Sequence, residues 1–400
     1  MTTAIRFDPL DAHVQQDPYR YYAQLREEAP AYFIESIGAW GLFRFEDCAH
    51  TFKHPEIFSA RDFIANAFGE FDPVPEVPSI IALDPPEHTR LRKLAGKAFL
   101  PSVIKAMEPR IEEIIRNLLE EHADTEQFDF IADYAAYVPV SVMSSILGVD
   151  PVTARSDFKR WTADMLKAPS RTALPEAELE QMHRSVAEAR AYFTELIDHK
   201  RRNPGGNDLV AALVAAEESK EKLTPEEVLS LIALIQFGGA ETPSHLIGTT
   251  LWELNQNPDA MAVVKADPSR FPDAVEETLR HLSPVHFVFQ TAVREVEVQG
   301  VTIPAESMVF SFIGSGNRDP RAFADPDRFD IDRDSGNKHL SFARGAHFCI
   351  GAPLGRSMCS KAVRLALEQF PNLHPVEDHV DWLPSFWVRG MARYPVATGA

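Results

Sequence analysis

Apolar residues recur at helical spacing along most of the chain, and the longest such pattern covers residues 224–255. At 1.5 Å per residue that helix spans on the order of 48 Å. Thr224-Pro225-Glu226-Glu227 supplies a capping box with proline in the first turn. Shorter helical patterns cover residues 17–28, 102–122, 138–147, 154–166, 176–202, 208–216 and 352–370, with a break at 169–175. Strand-like stretches are few and brief, at 31–35, 40–45 and 285–289. The pattern therefore predicts a mostly α protein with a small β region near its N-terminus.

Two stretches do not fit a simple helical reading. Residues 59–80 have no clear period and carry Phe63, Phe68 and Phe71. A connection of that length is either a lid or binding loop, or a surface loop anchored by its aromatics. Gly238-Gly239-Ala240-Glu241-Thr242-Pro243 interrupts the longest helix. Glycine costs ~1 and proline ~3 kcal/mol relative to alanine inside a helix. Pro243 removes the bond to the Gly239 carbonyl and crowds it. We expect a local bulge there, with a carboxylate (Glu241) and a hydroxyl (Thr242) beside the gap.

Composition narrows the class. The 400 residues are 45% hydrophobic and 25% charged, as in an ordinary globular protein. A net charge of −19 argues against a nucleic-acid partner. No apolar run approaching the ~20 residues of a membrane span stands out. The first eight residues have neither the basic region nor the apolar core of a signal peptide. Three cysteines, Cys48, Cys349 and Cys359, show no metal-finger spacing and suggest no disulfide framework. The expectation is a cytoplasmic chain, residues 1–400, folded as a single domain.

The chemistry concentrates in Ser341-Phe342-Ala343-Arg344-Gly345-Ala346-His347-Phe348-Cys349-Ile350-Gly351. Two glycines let the backbone pass close to a flat group. A thiol just before the 352–370 helix sits at the positive end of its dipole, where a thiolate is stabilised. Such a sulfur suits an axial ligand to haem iron. Upstream, Asp84-Pro85-Pro86-Glu87-His88-Thr89-Arg90-Leu91-Arg92 opens a helix on which His88 and Arg92 share a face.

Phe342, Gly345, Cys349 and Gly351 fall at the spacing of the haem-binding loop of the cytochrome P-450 family, which this stretch resembles. The 84–92 segment is similar to that family's Asp-Pro-Pro-x-His-x-x-x-Arg stretch. The 238–243 segment is similar to its Gly-x-Asp/Glu-Thr signature, except that Pro243 replaces a hydroxyl residue. Glu277 and Arg280 match its Glu-x-x-Arg pair, read as structural. Asn317-Arg318-Asp319-Pro320, Arg356 and Arg389-Gly390-Met391 resemble further family stretches, and the resemblance covers essentially residues 17–396.

The resemblance implies the family's triangular fold, with the long helix over haem b. It makes Cys349 the iron ligand in a loop shaped by Phe342 and Gly345, and His88, Arg92 and His347 the propionate holders. Thr242 binds dioxygen or water, and Glu241 delivers protons. Gln290 stands where the family usually has an arginine toward a propionate; an amide hydrogen-bonds a carboxylate without neutralising it.

The implied activity inserts one atom of dioxygen into a small apolar substrate: a steroid, terpenoid, fatty acid or aromatic. No flavin, nicotinamide or iron–sulfur motif is visible, so electrons come from an external ferredoxin and its reductase. Arg90, Lys93, Lys97 and Arg344 are candidates for the docking patch. Two other readings are a peroxide-driven oxygenase, which the intact Glu241-Thr242 pair disfavours, and a haem-based ligand sensor. A non-haem structural protein would purify colourless.

Overall fold

The computed structural model describes residues 5–149, 154–205, 208–218, 223–333 and 338–399. Helices form where the apolar period required them: Tyr19–Glu28, Pro101–Glu120, Tyr137–Leu147, Glu176–Arg202, Leu209–Glu218 and Ala352–Gln369. The stretch predicted as one helix over 154–166 is a wider-pitched turn, Ala154–Phe158, followed by the α-helix Lys159–Met165. Thr224 and Glu227 close the capping box reciprocally, with N–H to side-chain bonds of 2.9 and 3.1 Å.

Contacts divide the chain into two compact units. The first comprises Met1–Ala60, Leu119–Ala135 and His245–Ala400, and the second Arg61–Leu118 and Ala136–Ser244. The boundary falls inside the longest helix, Pro225–Gln256.

The first unit holds the sheets. Strands Ala31–Ile34, Ala39–Leu42, Ser307–Ser311, Val288–Ala292 and Phe58–Ser59 lie side by side in that order. Ala39–Leu42 runs parallel to Ser307–Ser311, and the remaining neighbours are antiparallel. The strand expected at 285–289 starts three residues later, because Val285 makes only an isolated bridge to Val388. The helix Phe45–Lys53 packs Phe45, Cys48, Ala49 and Phe52 into the core beside this sheet.

The second unit is helical. Residues 59–80 are no open lid: Phe63, Phe68 and Phe71 are all buried. Phe68 meets Phe237 edge-on at 5.1 Å, and Phe71 lies 4.5 Å from His183. The aromatics the period could not place are anchors, which favours the second of the two readings.

The stretch Phe130–Leu147 is apolar enough to span a membrane by composition, which corrects the impression that no run came close. In the folded chain 67% of it is buried, as in a core helix.

Candidate functional site

Cys349 is set apart from the other cysteines by its surroundings. Cys48 and Cys359 are buried, and burial pushes both thiols well up, which keeps them protonated and inert. Cys349 is exposed. It lies three residues before the helix Ala352–Gln369, and the Ala352 N–H points to its carbonyl at 3.3 Å.

The loop that carries it is rigidly seated. The Cys349 N–H donates to the Phe342 carbonyl at 2.9 Å, closing the loop on itself. Gly345 has φ +67°, and a Cβ there would lie 2.2 Å from the Phe52 carbonyl oxygen, so no other residue fits. Gly351 sits beside the sulfur, where a Cβ would make an ordinary contact of 3.9 Å with Cys349 Sγ. Asn317 holds the loop entrance, accepting from the Leu340 N–H (2.6 Å) and donating to Ser341 Oγ (2.9 Å). Phe342 lies under the Arg356 guanidinium, 4.5 Å from its centre. His347 ends the short turn Gly345–His347 and is half-buried.

Behind the loop is a carboxylate clamp. Glu276 accepts from Arg356 Nε and Nη2, the latter at 3.0 Å, and from His339 Nε2 at 3.1 Å. Burial pushes the Glu276 carboxyl up, but His339 and Arg356 outweigh it and hold the group at about 2. Sequence reasoning chose Glu277 and missed this neighbour; the adjacent acids Glu276-Glu277 gave no sign that they serve different partners. Glu277 and Arg280 form a bidentate pair at 2.6 and 2.8 Å, 2% and 0% exposed. Arg280 also donates to the carbonyls of Asn317, Pro326 and Arg328, so the pair fixes the segment that leads to the Cys349 loop.

Gln290 is engaged with neighbouring backbone. Its amide donates to the carbonyls of Thr51 (3.2 Å) and Phe58 (2.7 Å), which leaves no N–H for a carboxylate. A polar residue on a buried strand is first a bond partner for nearby backbone, which its place in the sequence does not reveal.

In the second unit, the Gly238–Pro243 segment stays helical, contrary to the expected bulge. Pro243 removes one helix bond, and the flanking bonds hold the turn. Room arises instead from absent side chains. A Cβ on Gly238 would meet nothing within 4 Å, whereas one on Gly239 would lie 2.8 Å from Met143 Sδ. Gly238 thus opens space and Gly239 permits helix packing. Thr242 Oγ1 donates to the Gly238 carbonyl at 3.1 Å. Burial pushes the half-buried Glu241 carboxyl up to about 7, opposed weakly by Lys159. Lys159 itself lies 4.3 Å over the Tyr137 ring.

His88 is buried at 2% exposure in the helix Glu87–Ala95, and Arg92, one turn on, is half-buried. Of the proposed docking cations, Arg90 is ion-paired with Glu227 and Lys93 is exposed. The Lys97 side chain lies outside the described residues. Arg344 belongs to the other unit, where it lines a pocket of about 310 Å³ with Lys53 and the exposed Phe348.

The donor set fits haem b: one exposed sulfur just before a helix, on a loop whose path only glycine at 345 permits. Among the described residues, no group of three or more His, Cys, Asp or Glu competes for a metal ion.

A family model described as "Cytochrome P450" matches residues 12–269 and 272–387. "Cytochrome P450 107B1" of Saccharopolyspora erythraea is 38% identical, over 96% of each chain. The "6-deoxyerythronolide B hydroxylase" of the same organism is 34% identical, over 99% of each. Among solved structures, cytochrome P450 CYP109Q5 from Chondromyces apiculatus superposes with a TM-score of 0.89 at 35% identity. That match covers 99% of this chain and 98% of the other.

Proposed function

The chain belongs to the cytochrome P450 family, a family of monooxygenases that hold haem b through a cysteine thiolate, and we propose the following roles for its residues. The observation that carries the reading is Cys349, the exposed cysteine, on a loop that glycines and backbone bonds hold in one shape. Its thiolate is the iron ligand, stabilised by the start of the Ala352–Gln369 helix. His88, Arg92 and His347 hold the propionates. Gln290 braces its own strand through the carbonyls of Thr51 and Phe58.

Haem b, when bound, supplies the activation of dioxygen. In the net reaction one oxygen atom enters a substrate C–H bond and the other leaves as water, with two electrons and two protons consumed. The protons are the task of this chain's own residues. A carboxyl at about 7 is half-protonated near neutral pH, so Glu241 both takes up and gives up protons. Thr242 holds a hydroxyl proton on Oγ1 beside the open side of Gly238.

The substrate is a small apolar molecule of steroid, terpenoid, fatty-acid or aromatic type. A relative named for hydroxylating 6-deoxyerythronolide B supports a hydrophobic substrate without fixing which one. Electrons come from a separate acidic ferredoxin. The pairing of Arg90 with Glu227 shifts the docking patch toward Lys53, Arg344 and Phe348.

The test is turnover with surrogate ferredoxin, reductase and NADPH, on substrates first found by a Soret shift. Product formed with NADPH supports the reading. Product formed only with peroxide points to the peroxide-driven alternative, and carbon monoxide binding without turnover points to a sensor.

A further inference from the structure

The end of the helix Phe45–Lys53 carries a side-chain cluster that the oxygenase reading does not use. His50 and its neighbour His54, four residues on, lie on one side of the helix. Their rings are 4.1 Å apart between centres, with 34° between planes. His50 is exposed, and the His54 side chain is 39% exposed, so both are reachable from solvent.

The period of the helix does not require these imidazoles. The buried face is Phe45, Cys48, Ala49, Thr51 and Phe52. His50 also meets the buried Phe58 ring edge-on at 6.1 Å, a contact that seats one ring and leaves its nitrogens to be used elsewhere.

Glu56 supplies the second observation. Its Oε1 lies 2.8 Å from His54 Nδ1. A carboxylate only accepts, so Nδ1 carries the proton and Nε2 presents its lone pair outward. Metal-ligating histidines are commonly backed in this way, which fixes the tautomer and raises the basicity of the ligating nitrogen.

We propose that His50 and His54 chelate one divalent transition-metal ion, with Glu56 orienting His54 and water completing the coordination. Two imidazoles on one tetrahedral Zn²⁺ place their ring centres roughly 5 Å apart, so the exposed rings splay by about 1 Å from their present 4.1 Å on binding. The site has only two protein ligands, so it binds more weakly than a four-ligand structural zinc. Imidazole donors favour Cu²⁺, Zn²⁺ and Ni²⁺ over Mg²⁺ or Ca²⁺.

The location gives the site a consequence. Thr51 and Phe52 lie between the two histidines. The Thr51 carbonyl accepts from Gln290, and the Phe52 carbonyl presses against Gly345 of the Cys349 loop. A metal clasping residues 50 and 54 therefore braces the wall on which that loop rests.

The test is calorimetric titration of the haem-loaded enzyme with Zn²⁺ alone, comparing wild type, the double variant His50→Gln/His54→Gln, and Glu56→Gln. Both changes are at exposed positions, and an unchanged carbon-monoxide spectrum certifies the fold. The wild type should show a one-to-one binding step in the micromolar range that the double variant loses. Glu56→Gln should weaken that step about tenfold. A wild type that takes up no Zn²⁺ below millimolar concentration overturns the proposal. So does a double variant that binds with unchanged stoichiometry and affinity, and an unchanged constant in Glu56→Gln overturns the role of Glu56.

Discussion

Glu276 in the first unit and Glu241 in the second are the same side chain in opposite settings. Both are pushed toward neutrality by burial. Glu276 meets His339 and Arg356 at hydrogen-bond distance and is held ionised, at about 2. At Glu241 burial outweighs the opposing charge of Lys159, and the group settles at about 7. The first carboxylate stabilises the frame behind the Cys349 loop. The second is left poised, which costs stability and provides a group able to exchange protons at physiological pH.

The frame is where the largest effect is expected. Arg280→Ala breaks a buried pair, leaves Glu277 with Arg333 as its remaining cation and takes a donor from three carbonyls, so it should cost about 3 kcal/mol in urea unfolding of the holoenzyme. A loss below 1 kcal/mol would show that the pair does not fix the segment.

On the poised side, Glu241→Gln removes the ionisable proton carrier. Turnover should fall about 10²-fold, with more NADPH consumed per product. Its effect on stability has the opposite sign. The folded group at about 7 lies above its ordinary value of 4.5, so wild-type stability falls as pH rises from 4.5 to 7. That slope should vanish in the variant, as read from unfolding midpoints across pH.

Glu276→Gln is the mirror experiment. It should cost about 2 kcal/mol at neutral pH through the charge-assisted bonds to Arg356 and His339. The stabilisation from Glu276 is complete above pH 4.5 and is lost as pH falls toward 2, because the folded value is depressed. The variant should therefore lose less stability on acidification than the wild type does.

The smallest effect distinguishes the two glycines of the long helix. Gly238→Ala meets nothing and should stabilise the helix by ~1 kcal/mol. Gly239→Ala meets Met143 and should gain less or destabilise. Equal gains at both positions would remove the separate roles assigned to them.

Much of this was legible in the sequence. Helix ends at Glu176, Arg202 and Ala352 follow directly from period and proline placement, and the capping box at Thr224 formed as read. The Cys349 loop was legible because glycine spacing and a thiol before a helix are local signals. What stayed hidden depends on contacts distant along the chain. Gln290 finds Thr51 and Phe58 more than two hundred residues away. Arg90 is spent on Glu227, and Glu276 is separated from its neighbour's role only by Arg356 and His339. The expected bulge failed for a local reason: one missing N–H does not break a helix whose flanking turns remain bonded.

The central claim is that Cys349 is the sulfur that binds the haem iron. The most direct measurement is the carbon-monoxide spectrum of the reduced protein, recorded for wild type and Cys349→Ser at equal haem loading. The account predicts a thiolate-type Soret maximum in wild type that is absent from the variant. A thiolate-type maximum in both, or in neither, would contradict it.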